Sequence, residues 1–324
     1  MTDAAGLDRK ATIAEAISRG VGIQYWGPDY HAAALARARH GLLMIEAARI
    51  GAPYSDNGRE IYFSADEVRE IRDDGRQVIL GYINVSEIET YRDYWSDAVR
   101  AALGGVGDKG AFAWYGPKSR HGELLAKYWT PEWEEVLAAR VDRIMAQGYD
   151  GVLLDDVLHY YTFAGDGLLQ PGSLKPDAAT PEDAPAFARA MMRLVTRVAD
   201  RVRAHDCDAL VVVNNGAYIG RDAGPEPQGA EVAAFDAYRA GIDGILMESL
   251  FSPHSNPEVL TVMREDYQSR GVSVLTIDFA SFFPDESPDQ VRSEVAARAR
   301  EHGFAAYVAD NDSFDRLYEP IIGR

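Results

Sequence analysis

Two short apolar runs in this 324-residue chain end in acid. Asp150-Gly151-Val152-Leu153-Leu154 leads into Asp155 and Asp156, and Asp243-Gly244-Ile245-Leu246-Met247 leads into Glu248. A buried strand has no structural need for a carboxylate at its last position, and an unpaired buried carboxylate is costly. In a barrel of parallel strands, the C-terminal strand ends carry the chemistry. Two convergent carboxylates suit glycoside hydrolysis, one giving a proton to the leaving oxygen and the other acting as nucleophile or base. Spacing alone leaves other uses open. Each acid could cap a helix or pair with an arginine, and Asp155, Asp156 and Glu248 together could hold Mg²⁺ in a lyase or aldolase.

Other chemistries lack their residues. The seven histidines never fall in an HExxH or HxH arrangement, and Cys207 stands alone, which excludes an intramolecular disulfide and a thiolate metal cluster. His159 reads as a hydrogen-bonded loop histidine. The chain has no GxSxG elbow and no phosphate-binding loop with Gly-Lys-Ser/Thr. Gly105-Val106-Gly107-Asp108-Lys109-Gly110 fits the letters of a dinucleotide fingerprint, but it follows a helical stretch and opens no clear helix. Neither a metal nor an organic cofactor is expected.

The net charge of −18 argues against a nucleic-acid partner and favours a cationic substrate, though acidity also serves plain solubility. No apolar run approaches the roughly 18 residues of a membrane span. Met1 to Lys10 shows no signal-peptide pattern, and the compartment stays open.

The acids need strands to carry them. Short β-rich runs recur at Gly22–Trp26, Leu42–Glu46, Val78–Asn84, Gly151–Asp155, Leu210–Asn214, Gly244–Glu248, Val272–Asp278 and Phe304–Ala309, with helical patterns between most of them. Capping pairs mark helix starts at Ser64/Glu67, Ser86/Glu89, Ser255/Glu258 and Ser287/Gln290. Thr130-Pro131, Thr180-Pro181 and Ser287-Pro288 place proline at a first helical position. The expected fold is a single α/β domain over 1–324, a (β/α)8 TIM barrel with extended loops on its C-terminal face and a peripheral segment at 1–18. A doubly wound open sheet is the alternative. Of the long connections Gly104–Gly122, Phe163–Pro185 and Gly220–Glu231, the last two follow the fourth and fifth strands and should shape a cleft.

Tyr25, Trp26, Tyr82, Trp129, Tyr160 and Tyr161 fall near strand ends or in the loops beyond them. Any one of them could be core packing, but together they offer rings on which sugar faces could stack. Asn84, Asn214 and Asn215 offer partners for hydroxyls. Glu46, Glu87, Asp156 and Asp278 lie at or just beyond strand ends and are expected to give the cleft a negative potential.

Several segments resemble a known family, the endo-α-1,4-polygalactosaminidases of glycoside hydrolase family 114. They are Phe63-Ser64-Ala65-Asp66-Glu67-Val68, Val78 to Glu87, Tyr91-Arg92-Asp93-Tyr94-Trp95, Tyr128-Trp129 with Trp133, Gly148 to Val152 with Asp155, Asn215-Gly216, and Glu248-Ser249-Leu250-Phe251. The match runs in order from about Tyr25 to Leu317. The resemblance implies a (β/α)8 barrel that hydrolyses an α-1,4-linked galactosamine-containing polysaccharide without metal or cofactor. It places the catalytic pair on Asp155 and Glu248, with Tyr82 and Glu87 in the cleft and Tyr91 and Arg92 beyond. Leu158, Glu46 and Asp156 depart from the family pattern, which bears on sugar specificity. Asp155, shorter and at the strand tip, is expected as nucleophile, and Glu248 as acid/base. The expected substrate-binding residues are Tyr25, Tyr82, Asn84, Glu87, Trp129, Asp156, Tyr160, Asn214 and Asp278. A barrel that binds carbohydrate without turnover is the rival reading.

Overall fold

Apolar runs of four to seven residues with helical stretches between them are what a parallel sheet covered on both faces requires. The computed structural model describes residues 4–50, 60–95, 112–170, 172–225 and 234–322. Gly105–Gly110 lies outside these residues, as do parts of the first and third long connections. Eight parallel strands follow one another around one sheet in chain order: β1 (Val21–Gln24), β2 (Leu42–Ile45), β3 (Val78–Asn84), β4 (Gly151–Asp155), β5 (Leu210–Asn214), β6 (Gly244–Glu248), β7 (Ser273–Phe279) and β8 (Ala305–Ala309). Helices surround this nearly closed barrel, which is the (β/α)8 fold. One set of strand side chains, including Met44, Leu80, Leu153, Val212, Leu246, Leu275 and Tyr307, fills the interior. The alternate set, including Ile45, Ile79, Val152, Val213 and Ile245, packs against the helices.

The segment after β8 seals the seam between β8 and β1. The backbone N–H groups of Tyr25 and Trp26 donate to the Phe314 carbonyl at 2.9 and 3.4 Å. Gln24 Nε2 donates to the Asp315 carbonyl at 3.1 Å. Gly27 sits at φ +122°, and a Cβ there would lie 1.8 Å from the Asp315 oxygen, so only glycine permits this approach.

The opposite end of the barrel is closed by helix Ala4–Ser18. The sequence reading sets this segment at the periphery, yet Ile13 and Ala16 are fully buried among the interior side chains. Arg9 anchors the helix through Asp243 Oδ1 at 3.2 Å and the Cys207 carbonyl at 2.8 Å. An open barrel bottom would expose apolar interior, and Ile13 and Ala16 cover it.

Local signals held where the helix followed directly. Ser64 with Glu67 and Ser287 with Gln290 form reciprocal capping boxes, and Pro131 and Pro288 open their helices. Three expectations fail. Ser86 donates to the Asp156 carbonyl at 2.6 Å. The helix near Ser255 begins at Glu258 without a side-chain cap. The helix after Thr180 starts at Ala184, capped by Asp183. Among the described residues, no helix is long and apolar enough to cross a membrane.

Candidate active site

Asp155, Asn214 and Glu248 are the last residues of three consecutive strands, β4, β5 and β6. Asn214 Nδ2 donates to Asp155 Oδ1 and to Glu248 Oε1, each at 2.7 Å. One amide nitrogen with two hydrogens thus bridges the two acids. The bonded oxygens can be no farther apart than about twice that bond length, roughly 5.4 Å. The residue after each strand end turns left-handed: Asp156 at φ 59°, Asn215 at 60° and Ser249 at 54°. Asparagine and aspartate tolerate this conformation, whereas for serine it costs on the order of 1 kcal/mol. Asn215 and Ser249 still donate to the neighbouring strands, at the Leu246 and Ile277 carbonyls (2.8 and 2.7 Å). Strain of this kind clusters at functional sites.

A second layer of bonds orients the pair. Asp155 Oδ1 also accepts the Asp156 N–H at 2.8 Å, and the Tyr82 hydroxyl helps to hold the pKa of the same carboxyl down against its burial. Asn84 faces Asp155 across the β3–β4 ladder. Its Nδ2 donates to Asp156 Oδ2 at 2.5 Å and to the Tyr82 oxygen at 3.3 Å. Its Oδ1 accepts the N–H groups of Ser86 and Glu87 at 3.0 and 2.7 Å. Asn215 Oδ1 accepts the Glu248 N–H at 3.3 Å.

Burial, and then the Asp155 charge, push Glu248 up to about 6 from an ordinary 4.5. Burial raises Asp155 as well, against the pull of its donors Asn214, the Asp156 N–H and Tyr82. Asp156 is also raised well above its ordinary value, by burial and then by Asp155 and Glu87. Two acids shifted upward side by side are the arrangement that proton transfer near neutrality uses.

Of the residues expected to contact substrate, Tyr25 and Tyr82 pack ring to ring, 4.7 Å between centroids, and Asp155 acts on the titration of both. Asn84, Asn214 and Asp156 belong to the network just described. Glu87 Oε1 takes His159 Nε2 at 2.9 Å, and His159 Nδ1 pairs with Thr162 Oγ1 at 3.0 Å. His159 is therefore a fully engaged histidine, hydrogen-bonded as expected but opening a helix and not lying in a loop. The sequence places no histidine at ligand spacing, yet atoms of Glu87, Asp156 and His159 all lie within 4.8 Å of one another. Helix His159–Ala164 brings this histidine back towards β3, a contact that no linear spacing encodes.

Four expectations need correction. Asp278 is fully buried and accepts from Thr276 Oγ1 (2.7 Å) and the Phe251 N–H (2.9 Å), so it holds the turn after β6 and does not face substrate. Glu46 is buried against Arg92, with Nη2 to Oε2 at 2.6 Å, and adds no free charge to the cleft. Tyr160 is buried, with its hydroxyl on Asp222 Oδ2 at 2.6 Å. Trp129 packs with Tyr128, Phe163 and Phe187 between helices. An apolar helix face supplied the competing use for both aromatics. Asp312, whose charge also raises Glu248, went unnoticed because it lies in the loop after β8.

A parallel eight-stranded barrel with paired, upward-shifted carboxylates at its C-terminal mouth is an architecture of glycoside hydrolases. The model of glycoside-hydrolase family GH114 matches residues 56–320, and the chain belongs to that family. It is a glycoside hydrolase acting on carbohydrate. The chain is 25% identical over 271 residues to an uncharacterized protein of Thermotoga maritima, covering 80% of this chain and 73% of that one. Its fold is similar to the glycoside hydrolase domain of PelA from Pseudomonas aeruginosa (TM-score 0.55, 16% identity, 92% of this chain and 96% of that one). It is similar also to Aspergillus fumigatus Ega3 in complex with galactosamine (TM-score 0.59, 11% identity, 94% and 96%).

Proposed function

We propose that this chain is a retaining, endo-acting hydrolase of an α-1,4-linked galactosamine-containing polysaccharide, with Asp155 as nucleophile and Glu248 as acid/base. The observation that carries the reading is the Asn214 amide held between the two acids at 2.7 Å from each. That bridge keeps the bonded oxygens within about 5.4 Å, which supports the roughly 5–5.5 Å spacing of retaining enzymes over the wider spacing of inverting ones.

Glu248, raised to about 6, keeps a protonated fraction near neutrality and gives its proton to the glycosidic oxygen as that bond breaks. Asp155 attacks the anomeric carbon and forms a glycosyl ester. Glu248, now ionised, takes a proton from water, whose oxygen displaces Asp155 and restores both groups. Asn214 supports both halves of the cycle by donating to whichever acid carries the charge. The same amide argues against Mg²⁺ held by Asp155 and Glu248, because its hydrogens point where a cation would sit. Ega3 holds galactosamine on a barrel of this shape, and the acids gathered at the mouth, Asp155, Asp156 and Glu248, suit an ammonium-bearing sugar.

The test is incubation with a panel of amino-sugar polymers, reading products by mass spectrometry and product anomer by NMR. Internal cleavage with retained configuration is expected, and inverted product would overturn the role given to Asp155. A barrel that binds the polymers without cleaving them would overturn the hydrolytic reading.

A further inference from the structure

Six large hydrophobic side chains are exposed among the described residues: Trp26, Ile61, Tyr91, Tyr161, Phe282 and Ile322. Single exposed hydrophobics are ordinary. Four of these, however, are aromatic, and all four lie on segments leaving the C-terminal ends of strands, after β1, β3, β4 and β7. Trp26 and Phe282 differ from the rest in how they are held. Trp26 is 56% exposed although its Nε1 donates to the Ser313 carbonyl at 2.7 Å. The ring is pinned at its edge while its surface stays open.

Phe282 is 41% exposed and packs on Phe279 at 5.3 Å. From there the contacts run inward without a break, Phe279 to Phe314 at 5.8 Å, Phe314 to Tyr25 at 4.9 Å and Tyr25 to Tyr82 at 4.7 Å. Tyr82 acts on the Asp155 carboxyl. Five rings thus connect the acid pair to the rim. The loop after β8 ties the two outer rings together, since it supplies the Ser313 carbonyl to Trp26 and the Asp310 carbonyl to the Ser281 N–H (2.9 Å). The same loop carries the exposed acids Asp310 and Asp312, and Asp312 acts on Glu248.

We propose that Trp26 and Phe282 form a distal sugar subsite on the β7–β8–β1 side of the mouth. It takes pyranose units of the chain whose scissile bond lies between Asp155 and Glu248. The apolar C–H face of a pyranose stacks on a fixed ring at little entropic cost, and an amino group at its edge finds Asp310, Asp312 and the ring faces themselves. The inference rests on the functional reading above and extends it, because a subsite remote from the acids makes affinity depend on chain length.

The test uses calorimetric binding of a length ladder of galactosamine oligosaccharides to the Asp155→Asn protein, alongside turnover by the wild type. Trp26→Ala and Phe282→Ala should each weaken the long oligosaccharides about 3- to 10-fold and leave the shortest unchanged. Trp26→Phe separates stacking from loop anchoring: it loses the bond to Ser313 but keeps a ring, so it should recover most of the lost affinity. Losses that are equal at every chain length, or absent, overturn the subsite, as does failure of Trp26→Phe to restore binding. A wild type that binds the ladder in this length-dependent way and never cleaves it overturns the hydrolytic reading while the subsite stands.

Discussion

Glu248 sits where its charge is costly, and that cost can be measured in the folding equilibrium. Its acid form is favoured in the folded protein, with the pKa raised from 4.5 to about 6 by burial and by Asp155. Below about pH 4.5 the group is protonated both folded and unfolded and costs nothing. Between about 4.5 and 6 the unfolded chain ionises first, and stability falls as pH rises. Above the folded value the loss is complete. A shift of about 1.5 units at 1.36 kcal/mol per unit comes to roughly 2 kcal/mol. Glu248→Gln keeps an oxygen for the Asn214 amide and has no charge to bury. The variant should match the wild type at pH 4 and exceed it by about 2 kcal/mol at pH 8. Urea midpoints at the two pH values check this, and thermal midpoints should rise by a few degrees at pH 8 only. Activity should fall about 10²- to 10⁴-fold because the proton donor is gone. A variant that is equally stabilised at both pH values, or destabilised at pH 8, would refute the electrostatic account of this site.

Three further outcomes are expected. Arg92→Met leaves Glu46, Glu60 and Glu89, which Arg92 contacts at 2.6 to 2.9 Å, without that cation, and should cost about 3–5 kcal/mol by urea denaturation; a near-neutral effect would mean that water reaches the cluster. On a partly deacetylated galactosamine polymer kcat/KM should exceed that on the acetylated one, with the advantage shrinking as salt approaches about 0.5 M, where the screening length falls below roughly 5 Å; a salt-independent ratio would show that charge plays no part in capture. Exhaustive chelation should leave kcat unchanged, and a loss restored by Mg²⁺ or Mn²⁺ would direct attention to Glu87, Asp156 and His159.

Much of the barrel was legible because fully buried parallel strands read as unbroken apolar runs. Val78–Asn84, Gly151–Asp155, Leu210–Asn214 and Gly244–Glu248 have the bounds expected of them, and the others differ by one or two residues. The acids at the ends of β4 and β6 were legible too, since polarity at the tip of an apolar strand stands out in any reading. Their partners were not. Glu46, Glu248 and Asp278 look alike in sequence, each an acid closing an apolar run. In the folded protein Glu46 faces Arg92, Asp278 holds the N–H of Phe251, and Glu248 shares the Asn214 amide with Asp155. Likewise Tyr25 and Tyr160 both follow apolar stretches, yet one lies against Tyr82 near Asp155 and the other is buried on Asp222. Sequence determined which residues end each strand, because burial and periodicity are local. Whether such a residue stays free, pairs or packs was decided by the chain segments folded against it, and those contacts exist only once the barrel has closed.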